Sequence, residues 1–296
     1  MNSRICIIII SVACYALIAH SETIRSDSST TVQGAIPSLS LHACLWLGGT
    51  DDSTEFHYVV DLDKKKIISK MIHRIPSGQS PECAQIRVDR KKNAAAAYTQ
   101  IIQQTKNREG RTDLDADLLE TLQEIEERAK VGGPPEGWLT TNPAGTHTII
   151  AVRGMPILVV EIATLDTHIL ARGHLTPVAW SPDSRFIAFA PLLMDKLYIY
   201  DAGKHGIVST KTIAGRSVQA LSWSPDMQHI AAFEFHNSRL SKTPLSLFGA
   251  MVGHPNYLND GVLSVYRVSD EQNFSVILKK GISEMNDSPD IELEWK

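Results

Sequence analysis

The sequence has little of what marks most enzymes. Its 296 residues hold no Gly-x-Ser-x-Gly elbow, no His-Glu-x-x-His, no Walker loop and no Gly-x-Gly-x-x-Gly. The usual motifs of an α/β-hydrolase, a zincin, a P-loop NTPase or a dinucleotide enzyme are therefore missing. Basic charge gives no excess either: 29 Lys and Arg against 33 Asp and Glu leave a net charge of -4. No overall positive field calls for nucleic acid. Aromatics make up 6% of the chain, so a β-rich core must rest on Val, Ile, Leu and Ala. Cysteine is scarce, with four in all. Beyond the first twenty residues no apolar run is long enough to span a bilayer, which predicts no stable membrane insertion.

The N-terminus reads as an address. Arg4 precedes an uncharged apolar run from Ile5 to Ala19, and Ala19-His20-Ser21 offers a cleavage site before Glu22. This predicts a signal peptide over 1–21 and a periplasmic or secreted protein. The rival reading makes Cys14 a lipidated cysteine. Cleavage removes Cys6 and Cys14 and leaves Cys44 and Cys83, an even pair in an oxidising compartment, for which a disulfide is expected. Two separate buried thiols are the alternative. Residues 22–38 are polar and Ser/Thr-rich, a flexible linker.

What the chain does hold is a repeated turn. Trp180-Ser181-Pro182-Asp183 recurs as Trp223-Ser224-Pro225-Asp226, 43 residues on. Pro pre-sets the φ of a type I turn and Asp bonds nearby amides. Each turn sits between β-prone runs, so each reads as a hairpin. A period near 43 predicts propeller blades. Asn142-Pro143-Ala144-Gly145 is a degenerate third copy. The resulting units are 138–174, 175–216 and 217–281, the last enlarged by a loop over 236–261. Residues 39–75 read as a further blade lacking that turn, with Trp46 aligned to Phe186 by its distance from Asp61. Residues 282–296 supply one more first strand, ending at Trp295, and are expected to close the ring on blade one. Residues 76–137 interrupt the β pattern with an α-helical hairpin. Its first half carries seven Lys/Arg and its second half seven Asp/Glu, a self-complementary pairing that weakens any nucleic-acid reading of Arg90-Lys91-Lys92. The fold class expected is all-β with a helical insertion: a small propeller of about four blades, closed by the C-terminal strand.

Trp-Ser-Pro-Asp, followed by an Ile-Ala-Phe strand and then Tyr198-Ile199-Tyr200-Asp201, resembles the WD-repeat-like blades of the TolB family. The resemblance covers the repeats only, fully over 138–281 and weakly over 41–75. It implies a secreted or periplasmic binding scaffold that engages a protein partner of the cell envelope or extracellular space.

No catalytic, cofactor or metal residues are expected. Asp183 and Asp226 are the one tempting carboxylate pair, and their turn chemistry already accounts for them. Asn273-Phe274-Ser275 and Asn286-Asp287-Ser288 are glycosylation sequons in a eukaryotic source. The 236–261 loop is apolar and Gly-punctuated, and Phe248, Met251 and Tyr257 are its candidate partner contacts. That loop and the helical hairpin are expected to lie side by side as a cap over the channel mouth. Two other readings stay open: an enzyme (lyase or hydrolase) with a pocket on a propeller face, and an incomplete propeller completed by dimerisation.

Overall fold

The computed structural model describes residues 40–47, 53–75, 83–108, 114–130, 139–152, 154–172, 177–191, 195–213, 215, 217–237, 258–283 and 290–296. The signal peptide, the linker and most of the 236–261 loop, with Phe248, Met251 and Tyr257, lie outside these residues, as do Asn286 and the side chain of Cys83.

Every described strand belongs to one of four antiparallel four-stranded sheets. Blade one contains β1 (Ser40–Leu47), β2 (Ser53–Asp61) and β3 (Lys66–Ile75). Blade two is β4 (Leu139–Thr141), β5 (His147–Ile150), β6 (Pro156–Glu161) and β7 (Thr167–Arg172). Blade three is β8 (Val178–Trp180), β9 (Phe186–Phe189), β10 (Lys196–Asp201) and β11 (Gly206–Thr212). Blade four is β12 (Ser217–Trp223), β13 (His229–Asn237), β14 (Leu258–Arg267) and β15 (Asn273–Ser283). The last strand, β16 (Asp290–Trp295), returns to blade one and pairs with β1, from Leu41 opposite Trp295 to Trp46 opposite Asp290. Ser40 and Lys296 exchange backbone hydrogen bonds of 2.9 Å at the seam. Blade one is thus completed by its own chain, without recourse to a second copy.

Backbone geometry confirms the repeat more sharply than side chains do. In the turn after each first strand the fourth residue has positive φ: Gly145 at 70°, Ser184 at 64°, Met227 at 59°. Its amide donates to the carbonyl of Asn142, Ser181 or Ser224 respectively, at 2.9–3.0 Å. The turns after the third strands of blades one, two and three repeat the device. Lys65, Leu165 and His205, each four residues past Asp61, Glu161 or Asp201, lie at φ 51°, 60° and 53°. A non-glycine residue in this region costs about 1 kcal/mol or more, which the surrounding hairpins must offset.

Alternation along the strands divides each sheet's two faces between two neighbours. Ile149, Ile157 and Val159 of blade two meet Ile187, Phe189 and Tyr200 of blade three. The opposite face of blade three, with Ala188, Leu197 and Ile199, meets Trp223, Ile230 and Ala232 of blade four. Ala231, Phe233 and Leu263 of blade four then meet Leu41, Leu45, Tyr58 and Leu293 of blade one. No described core cluster joins blade one to blade two. That junction is held by the helices α1 (Cys83–Asn107) and α2 (Ala116–Lys130). Ala94, Ala97 and Ile101 of α1, with Leu118, Leu122 and Ile125 of α2, cover Ile150, Leu158 and Val160 of blade two. α1 also contacts β4, β1 and β16. Asp115 opens α2 as its cap, accepting from the Leu118 amide at 3.0 Å.

Two expectations need correction. The hairpin is not a cap over the channel. It buries its apolar stripe against the β4–β6 part of a sheet face of blade two and takes the position of a further blade. The alignment of Trp46 with Phe186 is also wrong, because Ser40 opposes Asp61 as Phe186 opposes Asp201. The β1–β2 hairpin has longer strands than its counterpart β9–β10 in blade three, and counting back from the aspartate assumed equal strand lengths.

Candidate functional site: blade junctions and the rim of blade one

The repeat residues form local circuits. The Ser181 hydroxyl donates to Asp183 Oδ1 at 2.5 Å and accepts from the Phe186 amide at 2.8 Å, while Asp183 accepts from the Arg185 amide at 3.1 Å. Ser224, Asp226, His229 and Gln228 repeat the circuit at 2.5, 2.9 and 3.0 Å. Burial alone would raise the Asp226 carboxyl, but hydrogen bonds from Ser224 and the Gln228 amide outweigh it and hold the group below its ordinary value. These residues shape the turn in each copy, as the sequence indicated.

The tryptophans bridge the blades. Trp180 Nε1 donates to the Thr140 carbonyl at 2.9 Å, Trp223 Nε1 to the Ala179 carbonyl at 3.0 Å, and Trp295 Nε1 to the Ser222 carbonyl at 3.3 Å. Each bond runs from one inner strand to the inner strand of the preceding blade. Each indole also lies near the first residue of that blade's second strand: His147, Phe186 and His229, with ring centroids 6.2–6.5 Å apart. The matching position in blade two is Thr141, where the preceding neighbour is the helical hairpin and no inner strand is present to accept. Three tryptophans therefore staple three blade-to-blade junctions. Trp223→Phe should cost about 1 kcal/mol for the lost hydrogen bond. Trp223→Ala should cost roughly 3–5 kcal/mol. Urea unfolding with unchanged m would verify both values.

Other polar groups converge at junctions in ways the sequence did not reveal. Glu234 is fully buried on β13, where it accepts from the Tyr266 hydroxyl and from the Gly215 amide at 2.9 Å, with His236 Nε2 at 3.1 Å. A Cβ at Gly215 would come within 2.6 Å of Glu234 Oε2, so the blade three–four linker passes there only as glycine. In blade one, Cys44 pairs in register with His57, and Glu55 stands beside them. Cys44 Sγ lies 3.3 Å from Glu55 Oε1 and 3.6 Å from His57 Nδ1, and Glu55 and His57 Nε2 are 3.3 Å apart. This cluster faces away from blade four, toward the hairpin side. It was invisible beforehand because it depends on the β1–β2 register.

At the rim, Asp201 is anchored by Arg185, whose guanidinium holds the carboxyl below its ordinary value, with the Lys204 and Gly203 amides assisting against burial. Nearby, His168 of β7 stacks on His205 of blade three, ring centroids 3.6 Å apart. Burial and the neighbouring His205 push His168 below its ordinary 6.5. A depressed histidine stabilises the fold fully above its unfolded value and loses that contribution as pH falls through its folded value. Wild type should therefore lose stability below about pH 6.5 relative to His168→Gln, with the two curves parallel above it. Urea midpoints between pH 8 and 5 would test this, and parallel curves throughout would refute it.

No protein-family model matches this chain, and no curated protein matches it. Among solved structures it is similar to the β-propeller domain of Myceliophteria thermophila Cps50 (Swd1), at 10% identity and TM-score 0.29, over 49% of this chain and 57% of that one. It is also similar to Kuenenia stuttgartiensis hydrazine synthase, at 10% identity and TM-score 0.35, over 77% of this chain and 46% of that one. The chain thus spans about half the length of the structures it matches. The class is set by its own topology: a four-bladed, propeller-type all-β protein with a helical hairpin in the ring.

Proposed function

We propose that this chain is a non-catalytic, secreted or periplasmic scaffold that binds a protein partner, TolB-like in its repeats. The observation that carries the reading is the use made of the conspicuous polar residues. Ser181, Asp183, Ser224, Asp226, Asp201 and Glu234 are all committed to turns or junctions, where each satisfies neighbouring hydrogen-bonding groups. Ring geometry accounts for them without a reaction. Expression with the native leader should yield a processed chain beginning at Glu22 outside the cytoplasm, and a stoichiometric partner complex on size exclusion after cross-linking. An unprocessed cytoplasmic chain would defeat the location. Turnover of lyase or hydrolase substrates by the pure protein would defeat the non-catalytic reading.

The same compartment supports a Cys44–Cys83 disulfide. Cys83 begins α1, and α1 packs against β1, the strand that carries Cys44. The bond would close a loop of about 40 residues and contribute roughly 3–4 kcal/mol by the chain-entropy estimate. It would fasten the hairpin to blade one, as its apolar stripe fastens it to blade two. Thiol titration of the denatured, unreduced secreted protein should find no free cysteine, and two free thiols would rule the bond out.

A further inference from the structure

β3 is the outermost strand of blade one, and its second edge has no partner strand among the described residues. Every residue from Ile68 to Arg74 is exposed. Ile68, Met71 and Ile72 are 44%, 53% and 54% exposed. Exposure alone does not set β3 apart, since Ile169, Ile207 and Ile277 on the other outer strands are also exposed and β3 buries Ile75. Charge marks the strand by degree, since the other outer strands carry only one or two Lys or Arg each. Residues 66–75 carry Lys66, Lys70 and Arg74 with no Asp or Glu, in a chain whose net charge is -4. Among the described residues none of these three cations has an ion-pair partner. Lys70 instead lies 5.7 Å from the rings of Phe56 and Tyr58, and Lys279 of blade four approaches the same Phe56 ring to 5.4 Å. Two ammonium groups over one ring make a local positive field.

We propose that the free edge of β3 is a docking site for an acidic, extended segment of a partner protein, which adds to blade one as a further strand. The open row of backbone groups suits strand addition, in which main-chain bonds give affinity and alternate side chains give specificity. Cross-strand pairing puts Lys70, Ile72 and Arg74 on the face shared with Tyr58, Phe56 and Thr54. An incoming strand that alternates carboxylates with apolar residues can set its carboxylates on the face of Lys70 and Arg74 and its apolar residues on the face of Met71. A second copy of β3 would set like charges against each other, so the charges that admit an acidic strand also oppose self-pairing. The proposal rests on the scaffold reading and names its surface and partner chemistry.

The test uses the full secreted chain and a labelled ten-residue peptide alternating Val and Glu, read by fluorescence anisotropy, with amide hydrogen exchange over 66–75. Saturable binding with protection of those amides is expected. The triple variant K66E/K70E/R74E should bind the peptide at least tenfold more weakly and prefer a Val-Lys peptide. The neutral variant K66Q/R74Q, which leaves Lys70 on its rings, should show an intermediate loss with unchanged circular dichroism. Equal binding by wild type and triple variant would overturn the proposal. So would equal capture of a heparin oligosaccharide or phosphatidylglycerol vesicles with no amide protection, since that marks a general anion surface. A natural partner that co-elutes equally with the triple variant removes the edge site and leaves the scaffold reading intact.

Discussion

A chain ending at residue 289 is expected to melt at a sharply lower temperature than the full chain and to aggregate on heating. Truncation removes β16, the inner strand of blade one, and with it Ile291 and Leu293, which are 7% and 2% exposed. Losing either side chain alone costs roughly 2–5 kcal/mol in a packed core. The Trp295 bond to Ser222 goes too, and with it the contact between blades one and four at the inner wall. β1 would then present an unpaired edge beside an uncovered apolar face, the combination that promotes strand-to-strand aggregation. Since a domain is stable by only about 5–15 kcal/mol in total, the sum of these losses should leave little folded protein at physiological temperature. Leu293→Ala, which keeps the strand, separates packing from edge exposure: it should lower the melting temperature without aggregation below the transition. An unchanged melting curve for the truncation would mean that the ring does not depend on closure.

The closing strand was legible because Trp295 repeats a position already marked by Trp180 and Trp223, and because blade one otherwise began on its second strand. Ser181, Asp183, Ser224 and Asp226 were legible for the same reason: turn chemistry is local, so residue type and spacing suffice. What escaped was everything set by register or by the second neighbour. The Cys44–Glu55–His57 cluster depends on which residue of β1 faces which residue of β2. Glu234 and Tyr266 meet because two strands of one blade align, though they are 32 positions apart in the chain. The tryptophans stand out by their spacing, but nothing in that spacing says that their indole N–H groups bond to the preceding blade. The hairpin's amphipathic stripe was plain, but a stripe does not say what it covers. Nothing in the order of residues told a sheet face from a channel mouth.

That last distinction has a large measurable consequence. Replacing 83–130 by a short Gly/Ser linker is expected to abolish the folded monomer. Within the ring, α1 and α2 cover the β4–β6 part of one face of blade two, including Ile150, Leu158 and Val160, each fully buried. Uncovering that face exposes apolar surface worth about 25 cal/mol per Å². Blade one cannot move across to replace the helices. Its face on that side carries His42, Glu55, His57 and Glu292 beside Trp46 and Val59, while its main apolar cluster already faces blade four. Isoleucine and leucine packed there would offer no hydrogen-bonding partner to those groups, some of which already pair with one another. The excised protein should therefore run as aggregate or as a dimer joined through blade two, with lost near-ultraviolet circular dichroism. Point changes should scale down the same effect: Ile101→Ala and Leu118→Ala, both at fully buried positions, should each cost roughly 2–5 kcal/mol. A hairpin lying over the channel mouth would behave differently, because its removal leaves every blade junction intact. An excised chain that stays monomeric and melts like the parent would put the hairpin outside the ring.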